Sequence, residues 1–366
     1  MTGQPAVHET LGGLEVVQLF SGAMPTGVTV SSTGRVFVCY PKWGDDVGFT
    51  VGEVRDGEEV AFPSPELNDN RSDADPERFV SVQSVVVDPA DRLWALDTGS
   101  PMFQPTEHGG PKLVRVDLGT DEVAQTILFP TDVALPTTYL NDVRFDLRRG
   151  EAGTAFITDS SDSGPNGIIV VDLASGESWR RLHEHPSTKA VPPPDLRMVL
   201  EGQEFIERAE DGTTSPICTG ADGIAISADG ERLFYCPMAG RRWYSVAVDA
   251  LVDRSVDDGA VAATVRDEGD KGCVSDGLET DDAGRLYVTD GEHDAIHRRL
   301  PDGSWETVVS DPRLLWPDTM SVADGFLYVT ANQLYRQDKY RGGRDERRKP
   351  YVLFRTPIDA GPVRLR

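Results

Sequence analysis

Short stretches of the chain alternate apolar and polar residues with a period of two and then break at a turn. Val28 and Val30 flank Thr29, a Ser-Ser-Thr-Gly turn follows, and the apolar run RVFVCY comes next. Alternation, turn and a second β-rich run predict a hairpin rather than a helix. The same unit recurs as TGVTVSSTGRVFVCY from Thr26, QSVVVDPADRLWALDTG from Gln83, NDVRFDLRRGEAGTAFITDS from Asn141, DGIAISADGERLFYCP from Asp222, DGLETDDAGRLYVTDG from Asp276 and DTMSVADGFLYVTAN from Asp318. Successive openings lie 57, 58, 81, 54 and 42 residues apart, and all but the 81 suit one four-stranded sheet with its turns.

Six such sheets without long helices predict an all-β fold, a six-bladed β-propeller of four-stranded antiparallel sheets forming one domain over residues 1–366. Ring closure protects the outer edges, and Leu14 to Phe20 and Tyr351 to Pro357 are expected to share the closing blade. The long interval holds an insertion at about residues 180–217, including HEHPSTKAVPPPDLRMVLEGQEF. A loop of that length in a compact fold is expected to be a functional cover or a disordered excursion.

Several of these runs resemble the major royal jelly protein and Yellow family in its bacterial branch. LWALDTG at Leu93 to Gly99, TAFITDS at Thr154 to Ser160, the run from Ala221 to Val246, and LLWPDTM followed by LYVTANQL carry the resemblance. It implies a six-bladed propeller, in a family that includes structural or nutritive proteins, amine-binding salivary proteins and pigment-forming enzymes. The openings ADGIAISADG and SDGLETDDAG are also similar to those of gluconolactonase and regucalcin-like propellers. That likeness implies metal ligands at Asn141 and at Asp222 or Asp276, while Thr26 stands where the first-blade Glu would be.

Equivalent points of the blades face one place, so Thr26, Gln83, Asn141, Asp222, Asp276 and Asp318 are predicted to ring one mouth of the central channel. Clustered carboxylates raise one another's pKa unless a cation compensates them. Oxygen donors without thiolate or imidazole suit a hard divalent cation such as Ca²⁺, with Asn141, Asp222, Asp276 and Asp318 as its ligands. Asp276 and Asp222 are the catalytic candidates, and Gln83, Asn141, Asp318 and Trp316 the ligand-binding ones. The competing expectation for each Asp is a turn cap that binds backbone N–H groups.

Composition narrows the partners. With 61 acidic against 36 basic residues the formal charge is −25, which disfavours nucleic acid and anionic membranes. Only six of the basic residues are lysine. No stretch is long and apolar enough to span a bilayer, and Met1 to Gly13 lacks the features of a signal peptide, so a cytoplasmic location is expected. The four cysteines show no CxxC spacing; Cys218 and Cys273 precede equivalent openings and are expected to approach each other near the mouth. His183 and His185 are expected on an exposed loop, His293 and His297 in a hairpin where their spacing carries no meaning, and Trp94, Trp243 and Trp305 in blade cores. No GxGxxG, P-loop, HExxH or GxSxG motif is present.

The leading expectation is a small-molecule-binding propeller that acts as an enzyme, with the insertion around Pro192 to Phe205 partly covering the substrate. A cation would polarise the substrate while one Asp moves a proton, as in a lactonase-like hydrolase or an isomerase. The alternatives are a propeller that binds cationic ligands such as amines without turnover, and a protein-interaction scaffold.

Overall fold

Six four-stranded antiparallel sheets follow one another around a ring, as the six repeats predict. The computed structural model describes residues 10–69 and 73–366; the first nine residues, on which the leader expectation partly rests, lie outside them. The first strands of the blades are Val28–Val30, Val82–Val87, Leu140–Asp146, Ala221–Ile226, Leu278–Thr280 and Pro317–Ala323. Each touches the first strand of the next blade around the ring, so these strands line the channel. The sixth blade closes it: Glu15–Phe20 pairs with Tyr351–Pro357, which pairs with Phe326–Ala331, which pairs with Pro317–Ala323.

Small side chains tie blade to blade. From the second strand of one blade, Thr158 Oγ1 donates to the Asp222 carbonyl at 2.7 Å and Thr330 Oγ1 to the Thr26 carbonyl at 2.7 Å. Cys39 fills the same place in blade one, its Sγ lying 3.0 Å from the Gln83 carbonyl. Asp-Gly openings serve the same junction, because a Cβ on Gly277 would lie 2.2 Å from the Asp318 carbonyl oxygen and one on Gly223 would lie 2.6 Å from that of Asp276. Only glycine lets adjacent inner strands approach so closely.

All four cysteines are free thiols, and the expected approach of Cys218 to Cys273 is replaced by other neighbours. Cys273 is buried in one apolar cluster with Cys236, whereas Cys218 is half-exposed beside Asp162 and Glu207. Burial pushes the Cys39 thiol up to about 12 and raises those of Cys236 and Cys273. A thiol reagent is therefore expected to modify Cys218 alone in the native protein and the other three only after unfolding, as mass spectrometry of the labelled chain would read directly.

Candidate functional site

Four of the six ring residues share a backbone irregularity. In blades two, three, four and six the pairing of the first two strands shifts register between Val82 and Ser84, Leu140 and Val143, Ala221 and Ile224, and Pro317 and Met320. The skipped positions include Gln83, Asn141, Asp222 and Asp318. A bulge frees a residue from the pleat and re-aims its side chain, so each blade gives up ladder regularity to present a polar group.

Gln83, Asn141, Asp222 and Asp276 line one cavity at this mouth, and the space there, counted out to open solvent, is about 520 Å³. Asp222 and Asp276 lie in hydrogen-bonding contact with each other, which requires one of them to hold a proton. Asp276 also accepts from Trp316 Nε1 at 2.6 Å, so Asp276 is the acceptor and Asp222 the protonated partner. Burial, then the charge of Asp276, raises Asp222 well above the usual carboxylate range. Asp318 is raised well above it for the same two reasons, although Asn332 Nδ2 donates to its Oδ2 at 2.6 Å. Thr26 stays out of the cavity, its Oγ1 donating to the Gln83 carbonyl at 3.1 Å.

Aromatic side chains that the sequence pattern does not single out form the walls. Trp43 stacks on Phe103 with centroids 5.4 Å apart, Phe103 lies 5.0 Å from Tyr139, and Trp43 Nε1 donates to Tyr139 Oη at 2.7 Å. Tyr139 Oη in turn contacts Gln83 Oε1 at 3.1 Å. Tyr340 and Lys339 complete the rim, the Lys339 ammonium resting 4.6 Å from the Phe103 centroid and 4.8 Å from that of Tyr340. These residues sit in loops between strands, where no periodicity marks them. Lysine at 339 does carry a signal, since this chain otherwise writes its positive charge almost entirely as arginine.

Three of the left-handed non-glycine residues lie at or beside this site. Met102 and Phe103 are both left-handed, at φ 53° and 55°, and Trp316 at 59°. Conformations of that kind in bulky residues cost about 1–3 kcal/mol each and persist where neighbours over-determine them. The insertion supplies part of that constraint at Trp316: Phe205 packs edge-on against Trp316 at 5.2 Å and against Tyr340 at 4.7 Å. Two small hairpins, Val199–Leu200 with Gln203–Glu204 and Glu207–Arg208 with Thr214–Ser215, build this segment, pinned by the Arg336–Glu201 ion pair; it backs Trp316 and Tyr340 through Phe205 without lining the cavity itself.

The remaining candidates lie elsewhere. His183 Nδ1 accepts from Arg180 Nε at 2.9 Å and His185 Nδ1 lies 2.7 Å from Ser187 Oγ, both in loop structure. His293 and His297 do converge, against the expectation, with Nδ1 and Nε2 at 2.8 and 3.0 Å from Asp290 Oδ2, because the hairpin turn folds both back onto one carboxylate. Trp94 and Trp243 are core residues, but Trp305 is 38% exposed on an outer strand. A second and larger cavity lies at the opposite end of the channel under Pro362–Arg364. Its buried cation, Arg144, is already spent on structure: it pairs with Asp142 at 2.8 Å and donates to the Leu278 carbonyl at 2.9 Å, bolting blade three to blade five. Carboxylates that make no ion pair among the described residues and a group of aromatic side chains line the other cavity together, which is why the candidate site is placed there.

A metal fits this mouth poorly. Among the described residues no group of three or more His, Cys, Asp or Glu side chains is arranged to hold an ion. The four ligands expected from the sequence, Asn141, Asp222, Asp276 and Asp318, do not form such a set: Asp318 lies off the cavity wall that holds the other three, and Asp276 and Asp318 spend oxygens on Trp316 and Asn332. Thr26 supplies no carboxylate to replace them.

Comparison with known proteins gives two kinds of likeness. The family model described as Major royal jelly protein matches residues 80–357. Major royal jelly protein 1 of Apis mellifera is 27% identical over 206 residues, covering 53% of this chain and 42% of that protein. Protein yellow of Drosophila erecta is 26% identical over 245 residues, covering 64% and 42%. The match thus spans less than half the length of either relative. Among solved structures, a calcium-binding regucalcin from Agrobacterium tumefaciens aligns with a TM-score of 0.56 at 12% identity over 95% of this chain and 97% of its own. A gluconolactonase from Xanthomonas campestris aligns with a TM-score of 0.55 at 13% identity over 97% and 93%. At such identities these two show the shared fold.

Proposed function

The chain belongs to the major royal jelly protein family, and from that premise we propose that its channel mouth binds a small aromatic amine. The observation that carries this reading is the proton-sharing pair Asp222–Asp276 at the floor of an aromatic cavity. Carboxylates held above their usual range lack a cation, and aromatic faces attract cations and stack on flat rings. An organic ammonium meets both demands without needing coordination positions. A divalent cation of the kind the regucalcin name implies would have to displace the Trp316 and Asn332 bonds first.

A second reading adds turnover, and the same pair favours it. A protonated Asp222 next to an ionised Asp276 provides an acid and a base within one contact, which suits an isomerisation in which a proton leaves one atom of the substrate and returns at another. Isothermal calorimetry with phenethylamine tests binding, and the Asp222→Asn variant separates the two readings. Its side-chain amide still donates to Asp276, so affinity is expected to stay within a few fold while any proton-transfer activity is lost. Absence of measurable phenethylamine binding to the wild-type protein would refute the amine site.

The pKa shifts set a pH dependence. Asp222 and Asp318 are raised in the folded state, so their contribution to stability is full below the ordinary Asp value of about 4 and is lost as pH rises through their raised values. The melting temperature of the ligand-free protein is expected to fall as pH rises above the ordinary carboxylate range, and phenethylamine is expected to offset part of the fall. Asp294, pushed up to about 7 by burial and by Glu201 and Asp290, acts in the same direction away from the mouth. Comparison of wild type with Asp222→Asn isolates the mouth's share, since the variant should show a shallower decline.

A further inference from the structure

The mouth contains a positive charge of its own that an amine ligand alone would oppose. Lys339 lines the same cavity as Asp222 and Asp276, yet among the described residues its ammonium makes no ion pair, resting instead on the faces of Phe103 and Tyr340. Its neighbours behave otherwise: Arg336 and Arg341 pair with Glu201, and Arg347 pairs with Asp45 and Asp345. Asp162, on the same cavity wall, and Glu207 lie near enough to act on the Lys339 ammonium without forming an ion pair with it. Burial would lower its pKa, but Tyr340, followed by Asp162 and Glu207, outweighs burial and holds it charged.

Lys339 is also held in position. It lies in the single turn Asp338–Tyr340, where Tyr340 is buried in the core cluster with Trp316 and Phe205. The wall it leans on is fixed by the left-handed pair Met102–Phe103 and by the Trp43–Tyr139 bond. The cavity thus presents carboxylates of Asp222 and Asp276 together with an ammonium that makes no ion pair, and aromatic faces beside them. A monocation entering this space gains the carboxylates but meets the Lys339 charge, whereas a ligand with both charges satisfies the two poles together.

We infer that the ligand of the channel mouth is a small aromatic zwitterion, whose amine meets the Asp222–Asp276 floor and whose carboxylate is taken by Lys339. The inference rests on the amine reading above and makes Lys339 the residue that selects among amines. Three matched probes test it by calorimetry on the full chain near neutral pH: phenethylamine carries only the cation, 3-phenylpropanoate only the anion, and L-phenylalanine both. Wild type is expected to bind L-phenylalanine about tenfold more tightly than phenethylamine. Lys339→Met keeps the length and apolar bulk of the stem; it is expected to lose that preference and to bind phenethylamine at least as well as wild type does, while Lys339→Arg retains the preference. If phenethylamine binds and L-phenylalanine gains nothing, or if Lys339→Met leaves the preference intact, the assignment to Lys339 is wrong and the amine site stands. If no probe binds, or only 3-phenylpropanoate does, the amine site falls with it.

Discussion

Removal of residues 351–366 is expected to abolish the cooperative unfolding transition altogether. Tyr351–Pro357 is an interior strand of the sixth blade, with ladders to Glu15–Phe20 on one side and Phe326–Ala331 on the other. Its loss leaves the N-terminal strand with no partner and strips both outer strands from the closing blade. Tyr351, Leu353 and Phe354 are each at most 1% exposed, and Phe20 on the orphaned strand is fully buried. At about 1.5–3 kcal/mol for each fully buried apolar side chain, these four alone rival the roughly 5–15 kcal/mol by which a folded domain is stable. Residues 359–366 add a strap across the far end of the channel, where the Leu147 amide donates to the Leu365 carbonyl at 2.8 Å. Urea titration followed by tryptophan fluorescence and far-UV circular dichroism checks the prediction; a truncated chain with a sharp transition near the wild-type midpoint would contradict it. Removing the strap alone, residues 359–366, is expected to lower the midpoint and leave the transition cooperative.

Replacement of Asp276 by Asn is expected to weaken phenethylamine binding by roughly 30-fold or more, equivalent to about 2 kcal/mol or above, the scale for removing one partner of a buried charge pair. Asp276 is the ionised member of the pair, holding the indole N–H of Trp316 and the proton of Asp222 at once. An amide keeps the shape, but with its oxygen on Trp316 it presents an N–H to Asp222, which must change from donor to acceptor. The rearranged bond is expected to cost some stability as well, about 0.5–1.5 kcal/mol, the net scale of one hydrogen bond. A mere turn cap predicts only that second loss. Calorimetry and thermal melts on the same variant separate them, because unchanged affinity accompanied by a lower melting temperature would leave Asp276 a structural residue.

The mouth was legible in part, and the reason lies in how each residue gets there. Gln83, Asn141, Asp222 and Asp276 sit at equivalent points of a repeated unit, so counting along the chain places them around one axis before any coordinates are known, and the structure puts all four on one cavity wall. The proton between Asp222 and Asp276 follows from an approach of two side chains across neighbouring blades, which spacing along the chain does not encode. The same holds for the cysteines. Equivalent sequence positions suggest Cys218 beside Cys273, but the thiol that lies near Cys273 belongs to Cys236, because Cys218 precedes its inner strand in the loop leaving the insertion, away from the blade core.

By itself the sequence determined the repeat, the number of blades and the closing blade built from both ends, since each depends on local alternation, turn chemistry and the periodicity of one recurring hairpin; of the predicted polar ring, Gln83, Asn141, Asp222 and Asp276 line the cavity, whereas Thr26 and Asp318, and Trp316 beside them, do not. The tertiary structure alone decided what the ring can hold. Trp43, Phe103, Tyr139, Lys339 and Tyr340 come from four separate loops that no period relates, and they meet only when the blades close into a circle. Their contact energies depend on distances between segments up to about 300 residues apart in the chain, and a pattern of neighbouring residues carries no record of such distances. What surrounds the carboxylates was therefore set by packing, through the bonds that Trp316 and Asn332 make to side chains the sequence could only place near each other.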